Sequence, residues 1–447
     1  MSDYIIDKLK ERTTAKVLYP ETLLESVKVT DDDSSKTLKD VLEINNLSID
    51  YELYSFRVNL ADPNPQTRIS YFDMAKGRRP AFWNYTNGYF DYGDWSNAFF
   101  IKNAFPCMVK YDGTIAYKLD PENYLLQEDG SASDVANSLY EGSAMMAFPT
   151  IWIKRWSDKS YLYCSISDKQ IDDDYHAYMH TDKDGNVCLY KYIGMYFSTL
   201  FTDRYKSLAG QTFTANKTFE EEQQYTHAIG DRWETFSWSD YATLSDLLTL
   251  ISKSDDSQQS FGYGYCGASS RNATTDPVKI DYPKTPNLKN AGMFFNSAAA
   301  GTHSYQKLFH IHNLLDGQYT RLGGLIYLNG SLFVKPYPPY TTTTENYTNL
   351  ATLKDSPVAI SGTSDAYIKA SVSNEYGRFP TALGGSADTY ECDTVAYPSK
   401  EGTYIAVTRG AFSSAKKGGK MGLRLDLTEV ANANVANRLT CFSVDPI

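Results

Sequence analysis

From Ser55 to the C-terminus the sequence is dominated by short runs in which apolar and polar residues alternate, set apart by Gly, Pro, Asn and Asp. A period of two sends successive side chains to opposite faces, so such runs fold as strands with one face toward a core. The first run carries Phe56, Val58 and Leu60, breaks at Pro63 and Pro65, and resumes with Ile69 and Tyr71, which predicts two short strands and a turn. TIWIKRW and SYLYCSIS flank the polar joint Ser157, Asp158 and Lys159 and read as a hairpin. Near the end, Tyr404 to Gly410 and Met421 to Leu427 alternate again. Only two later segments have helical character. One starts from Asn216 with Glu220, Glu221 and Glu222 near its positive end; the other places Tyr241, Leu244, Leu247, Leu248 and Ile251 behind Ser239 or Asp240 as cap. The expected fold class is α+β, with a mixed or antiparallel sheet, two flanking helices and long loops. No internal repeat with a solenoid period is present.

Residues 1–55 have a different texture: polar, charge-rich, and without glycine or tryptophan. Ser34 or Ser35 can cap a helix whose Leu38, Val41 and Leu42 share a face, with Asp31, Asp32 and Asp33 just upstream. A helix this short is marginal in water by itself. Its apolar face therefore packs on copies of itself, on a docking partner, or back on the main domain. The chain of 447 residues has room for two or three domains, or for one large domain with an appendage. The boundaries read as 1–55 for the leading segment, 56–140 for a β-rich subdomain and 141–447 for the main domain.

Charge narrows the partners. A net charge of -11 lacks the basic footprint that bulk nucleic-acid binding needs. No stretch approaches the length of a membrane span, and MSDYIIDKLKERTTAK has neither the basic start nor the apolar run of a signal peptide. The six cysteines lie far apart with no CxxC pair and read mostly as reduced core residues. Tyrosine is abundant, at 36 residues, which points to large amphipathic contact surfaces.

Several segments could carry chemistry. The loop GAFSSAKKGG has glycine at both ends and presents Phe412, Ser413 and Lys416, with Arg409 on the strand leading into it. A second segment, Ser386 to Tyr397, offers Asp388, Tyr390, Asp393 and Tyr397 around Cys392, mixing rigid rings with short polar groups as adaptable binding surfaces do. These eight residues are the candidate ligand-binding face; the alternative is ordinary exposed loops. WNYTNGYFDYGDWSNAFF could stack on sugar rings or fill an irregular core. Asp182, Asp184, Gly185 and Asn186 fit a hairpin turn better than a calcium loop, whose spacing and closing glutamate they lack. His310 and His312 would share a face on a strand, but no further metal ligands lie near them in sequence. Asp172, Asp173 and Asp174 form a charged turn or one side of a glycosidase carboxylate pair. FGYGYCG has neither a leading strand nor the Lys-Ser/Thr of a phosphate loop, and no nucleophile elbow or zinc helix occurs. No catalytic residue, cofactor or metal is therefore expected.

GGSADTYECD, a strand ending VTRGAFSS, and GLRLDLTEVANANVANRLTCFSV resemble the closing module of phage fibre and receptor-binding proteins with a C-type-lectin fold, a fold related to the formylglycine-generating enzymes. Gly384, Gly385, Tyr390, Cys392, Asp393, Gly410, Phe412, Ser413, Leu427, Asn432, Asn434, Arg438 and Leu439 carry the resemblance, with Phe412 where that family has tryptophan. Earlier matches are Asp129, Gly130, Phe148, Pro149 and Lys154, then Leu308, Phe309, Ile311, Asn313 and Gly317, with His310 and Thr320 as departures. The TLKDVL phrase is similar to short leaders that anchor such fibres to the virion. The resemblance implies a C-type-lectin-like domain over 141–447 that binds a host bacterial surface receptor, a glycan or a protein. It further implies a homotrimer attached to other virion proteins through residues 1–55, on the tail or the capsid, with no enzymatic activity. The alternatives are a capsid-mounted head fibre or decoration protein of the same fold and, in another class, a glycan-degrading virion enzyme. The distant cysteines argue against formylglycine-type oxidation, which uses two close ones.

Overall fold

The computed structural model describes residues 51–84, 86–262, 264, 292–295, 306–355, 357–358, 363–398, 401–408, 417–427 and 430–447. The helix expected at Leu38, Val41 and Leu42 lies outside them. The alternation around Phe56 does give a strand, Leu53–Asn59, antiparallel to Ile69–Asp73 on one side and to Tyr161–Ser167 on the other. Trp152–Ser157 completes this four-stranded sheet through the expected hairpin. Asp158 closes the hairpin by accepting the Ser160 and Tyr161 amides at 2.7 and 2.8 Å. One face of the sheet sends Phe56, Val58, Ile69, Leu162 and Cys164 into the core.

A six-stranded sheet comes next, in the order Trp233–Thr235, Leu439–Phe442, Tyr190–Gly194, Gly142–Pro149, Phe105–Lys110, Ile115–Lys118. Its members come from all over the chain, so the carboxyl end closes a sheet begun before residue 140. An eight-stranded sheet spans Arg321–Leu328, Thr403–Thr408, Leu423–Leu427, Thr394–Tyr397, Thr363–Asn374 and Gly377–Leu383, with Ser331–Val334 and Thr348–Asn349 at one edge. It is mixed: Thr394–Tyr397 runs parallel to Leu423–Leu427, while the other pairs are antiparallel. The protein is α+β with strand predominating.

Both expected helices form, each with a different cap. Phe219–His227 is capped by Thr218, whose hydroxyl accepts the Glu221 amide while the Glu221 carboxylate accepts the Thr218 amide. Asn216 stands outside it at φ +63°. Trp238–Ser252 is capped by Ser237 with Asp240 in the reciprocal role, so Ser239 and Asp240 lie within the first turn. All fifteen residues of this helix are buried. It is the post around which the sheets pack: Trp238 Nε1 donates to the Tyr376 carbonyl, Tyr241 Oη to that of Gly419, and Tyr71 Oη to that of Leu250. One continuous apolar cluster runs from Tyr54 through this helix to Leu425.

Candidate functional site

The strand Thr403–Thr408 does not present the exposed face that its alternation suggests, whereas Arg424 on Leu423–Leu427 is exposed. Every residue from Tyr404 to Thr408 is buried. The reason is cover on both sides of the sheet: Ile405 packs with Phe219 and Tyr340, and Val407 with Tyr319 and Val435, while Tyr404 and Ala406 join the main core. Of the eight candidate residues, Asp388 is exposed and Tyr390 half-buried, with Arg68 5.6 Å above its ring. Asp393 and Tyr397 are sealed at 1% and 4% exposure, which corrects their assignment to a binding face. Asp393 accepts the Met421 amide at 2.8 Å, and burial pushes its carboxyl up to about 8 against that hydrogen bond. Tyr397 packs on Tyr327, with ring centroids 5.7 Å apart. Arg409, Phe412, Ser413 and Lys416 lie outside the described residues.

Behind this segment is a buried ionic knot. Asp255 receives both terminal nitrogens of Arg378 at 2.8 and 2.9 Å and Lys420 Nζ at 3.1 Å, with Arg68 Nη1 at 3.3 Å. Arg378 also donates to Glu391 at 2.5 Å. Burial alone would raise the Asp255 carboxyl, but Arg378, Lys420 and Arg68 together hold it below the ordinary range. The knot ties the first hairpin, the loop after the long helix, and the carboxyl-terminal sheet together, and its role is structural.

The remaining candidates divide the same way. His310 sits at φ +61°, off any strand, and its Nδ1 is 2.7 Å from Tyr124 Oη; only His312 belongs to a strand, Ile311–His312. Among the described residues no group of three His, Cys, Asp or Glu side chains could hold a metal ion. Asp182 accepts the amides of Asp184 and Asn186, both at 2.9 Å, and makes the hairpin turn. Asp172 and Asp174 bracket Lys154 at 3.0 and 2.8 Å. Trp95, Phe90, Phe99 and Phe100 are buried, so that aromatic stretch fills the core. Cys107, Cys164, Cys188, Cys392 and Cys441 are free and buried.

An open cleft of about 460 Å³ is built from four separate stretches: the turn Asp182–Asp184, residues 227 and 231–234, Pro338–Pro339, and Phe442. Its polar centre is Glu234, 4% exposed, on the strand Trp233–Thr235. One carboxylate oxygen accepts the Thr235 amide at 2.8 Å and the other lies 3.1 Å from His227 Nε2. That hydrogen bond raises the imidazole pKa of His227 above its ordinary value, with burial opposing. Arg232 is anchored on the Ser443 carbonyl at 2.9 Å, and Lys183 on Asp184. Asp231 is exposed and makes no hydrogen bond to another described residue. Trp233 is fixed from behind, Nε1 donating to the Tyr111 carbonyl at 2.7 Å. Lys191 Nζ lies 3.4 Å from the centroid of the Phe442 ring. The cleft therefore offers carboxylate acceptors and an imidazole donor beside the apolar rings of two prolines. Its volume falls within the range of small-ligand sites.

Compared with known proteins, the sequence matches no family model and no curated protein. Sequence reasoning missed His227, Asp231 and Glu234; the available signal was the phrase THAIGDRWE, dense in ionisable groups at a helix end. The two prolines fall in PYPPYTTTTENYTNL, whose Pro, Tyr and Thr mark a long exposed loop that is either a second contact region or a connector.

Proposed function

We propose that the chain is a phage virion fibre protein. Its C-type-lectin-like domain binds a glycan receptor on the host bacterial surface, and the leading segment of about fifty residues fastens a homotrimer to the tail or capsid. Support comes from the ordered sequence matches between Asp129 and Leu439 and from the α+β architecture with a mixed sheet. The observation that carries the binding role is the cleft at Glu234, where acceptors, a donor and flat apolar rings converge in a volume suited to a sugar. Asp388 and Tyr390 offer a second, shallower contact. The full chain, purified and added in excess to host cells, is expected to block adsorption of the phage that carries it. Undiminished adsorption at saturating protein refutes the receptor-binding reading.

A second reading has one observation in its favour: the cleft holds several carboxylates, one of them buried and bonded to a histidine, as a glycan-degrading enzyme would require. Release of reducing ends from host capsule or cell-wall glycan, abolished by Glu234→Gln, would replace the binding role with that activity.

A further inference from the structure

Lys191 and Asp240 meet in the interior, between the six-stranded sheet and the long helix. Lys191 belongs to the strand Tyr190–Gly194 and Asp240 to the first turn of Trp238–Ser252, and their side chains are 2% and 0% exposed. Nζ lies 3.7 Å from Oδ1, within ion-pair range but too far for a hydrogen bond. Asp240 Oδ1 accordingly has no hydrogen-bond partner, whereas Oδ2 accepts the Ser237 amide at 2.8 Å and the Ser237 hydroxyl at 2.7 Å. The Phe442 ring shields Nζ, with its centroid 3.4 Å away. His180, fully buried with neither ring nitrogen bonded, is held neutral by burial and adds no charge.

An ion pair sealed from water without a hydrogen bond is poorly compensated. Burial lowers the ammonium pKa of Lys191 and raises the carboxyl pKa of Asp240, in each case against the attraction of the other. Both shifts favour a free amine beside a carboxylic acid. That is the reactive combination, because the amine needs its lone pair to attack and an acid is a better electrophile than a carboxylate. Ser237 contributes as well: its two donors on Oδ2 stabilise the negative charge that develops there when nitrogen adds to Cγ. Lys420 and Asp255 supply the contrast. They lie closer, at 3.1 Å, but against the pull of burial Arg378, Lys420 and Arg68 keep the Asp255 carboxyl ionised, so it offers no electrophile.

We propose that Lys191 Nζ and Asp240 Cγ join in an intramolecular amide bond that stitches the strand Tyr190–Gly194 to the start of the long helix. The Nζ lone pair forms the N–C bond and the Cγ–Oδ1 bond breaks. One amine proton passes to the carboxylate of Glu234, which is 4% exposed and whose charge acts on both partners, and from there to Oδ1, which departs with its own proton as water. Oδ2 stays behind as the amide oxygen, still bonded to Ser237, so the helix cap survives. The step needs no oxidant or cofactor. The cross-link is independent of what the chain binds, and stands or falls apart from the receptor reading.

The test is mass spectrometry of the folded full chain. The intact protein is expected to weigh one water molecule less than its sequence, and a tryptic digest to contain a branched peptide joining the fragments that carry Lys191 and Asp240. The branched peptide matters because Asp-Gly steps such as Asp112-Gly113 can also lose water. Lys191→Met should lack both the branched peptide and its mass deficit, and Glu234→Gln should lack them or acquire them more slowly; thermal melting confirms that each variant folds. The digest of the wild-type protein decides even where a variant fails to fold. Two separate fragments from folded wild type, a deficit that survives Lys191→Met, or a bond that forms undiminished in Glu234→Gln overturns the proposal.

Discussion

Lys307 provides the sharpest check on the packing. It lies on the strand Gln306–Leu308 at 3% exposure, its Nζ has no hydrogen-bond partner, and the nearest compensation is the Tyr124 ring, whose centroid is 5.0 Å away. Burial pushes its pKa down from 10.5 to about 7. For a base whose folded value lies below the unfolded one, the unfolded chain binds more protons between the two. Stability at this position is therefore full above the unfolded value and is lost as pH falls toward the folded one. At about 1.4 kcal/mol per pH unit across that interval, burying the amine costs about 4 kcal/mol at pH 7 and about 1 kcal/mol at pH 10. Lys307→Met keeps the length and removes the charge. Relative to wild type, its stability advantage in urea denaturation should be about 3 kcal/mol larger at pH 7 than at pH 10. Titrations shared by both proteins cancel in that difference. His310 and His312 are held neutral by burial, and the Tyr124 phenol is raised well above 10, so these neighbours do not change charge in the window. An advantage that is the same at both pH values would show that Lys307 is solvated or paired, and the argument would fail.

Asp255→Ala leaves Arg68, Arg378 and Lys420 facing one another with Glu391 as the remaining counter-charge, and should cost about 3–5 kcal/mol in chemical denaturation; a loss under about 1 kcal/mol would mean that water reaches the knot. Glu234→Gln should lower the pKa of His227 toward its ordinary 6.5, read by NMR titration of the ring protons, since the hydrogen bond that His227 donates to Glu234 is the main cause of the raised value. Because that pair stabilises the fold only while the imidazole is protonated, its contribution is present at low pH and lost as pH rises through the folded value. With the His227 side chain 46% exposed it is worth under about 1 kcal/mol, and an unchanged titration in the variant would refute the pairing.

Period-two alternation was enough to place the hairpin at Asp158 and the neighbouring strands Thr403–Thr408 and Leu423–Leu427. It could not tell which faces would be covered. The long helix illustrates the limit: a stripe through Tyr241, Leu244, Leu247 and Leu248 implies a wet opposite face, yet the whole helix is buried. The polar side is tolerated because its hydroxyls satisfy themselves on the preceding turn. Ser245 Oγ donates to the Tyr241 carbonyl at 2.7 Å, Thr249 Oγ1 to that of Ser245 at 2.9 Å, and Ser252 Oγ to that of Leu248 at 2.7 Å. Local hydrogen bonding of this kind removes the desolvation cost that normally keeps Ser and Thr outside.

The same physics explains why the expected binding face and the cleft changed places. Asp393, Glu391 and Lys420 look like surface residues in sequence, and they are buried because charges from distant segments compensate them or because a backbone amide does. Conversely, Glu234 and His227 are seven residues apart and unremarkable in sequence until a helix end and a strand bring them to 3.1 Å. Asp182 and Pro338 reach the same place from turns that no spacing rule connects. Charge compensation and cleft formation are both long-range properties of the fold. A reading built on local period and composition therefore places the strands well, and assigns the exposed chemistry only where no distant segment arrives to cover it.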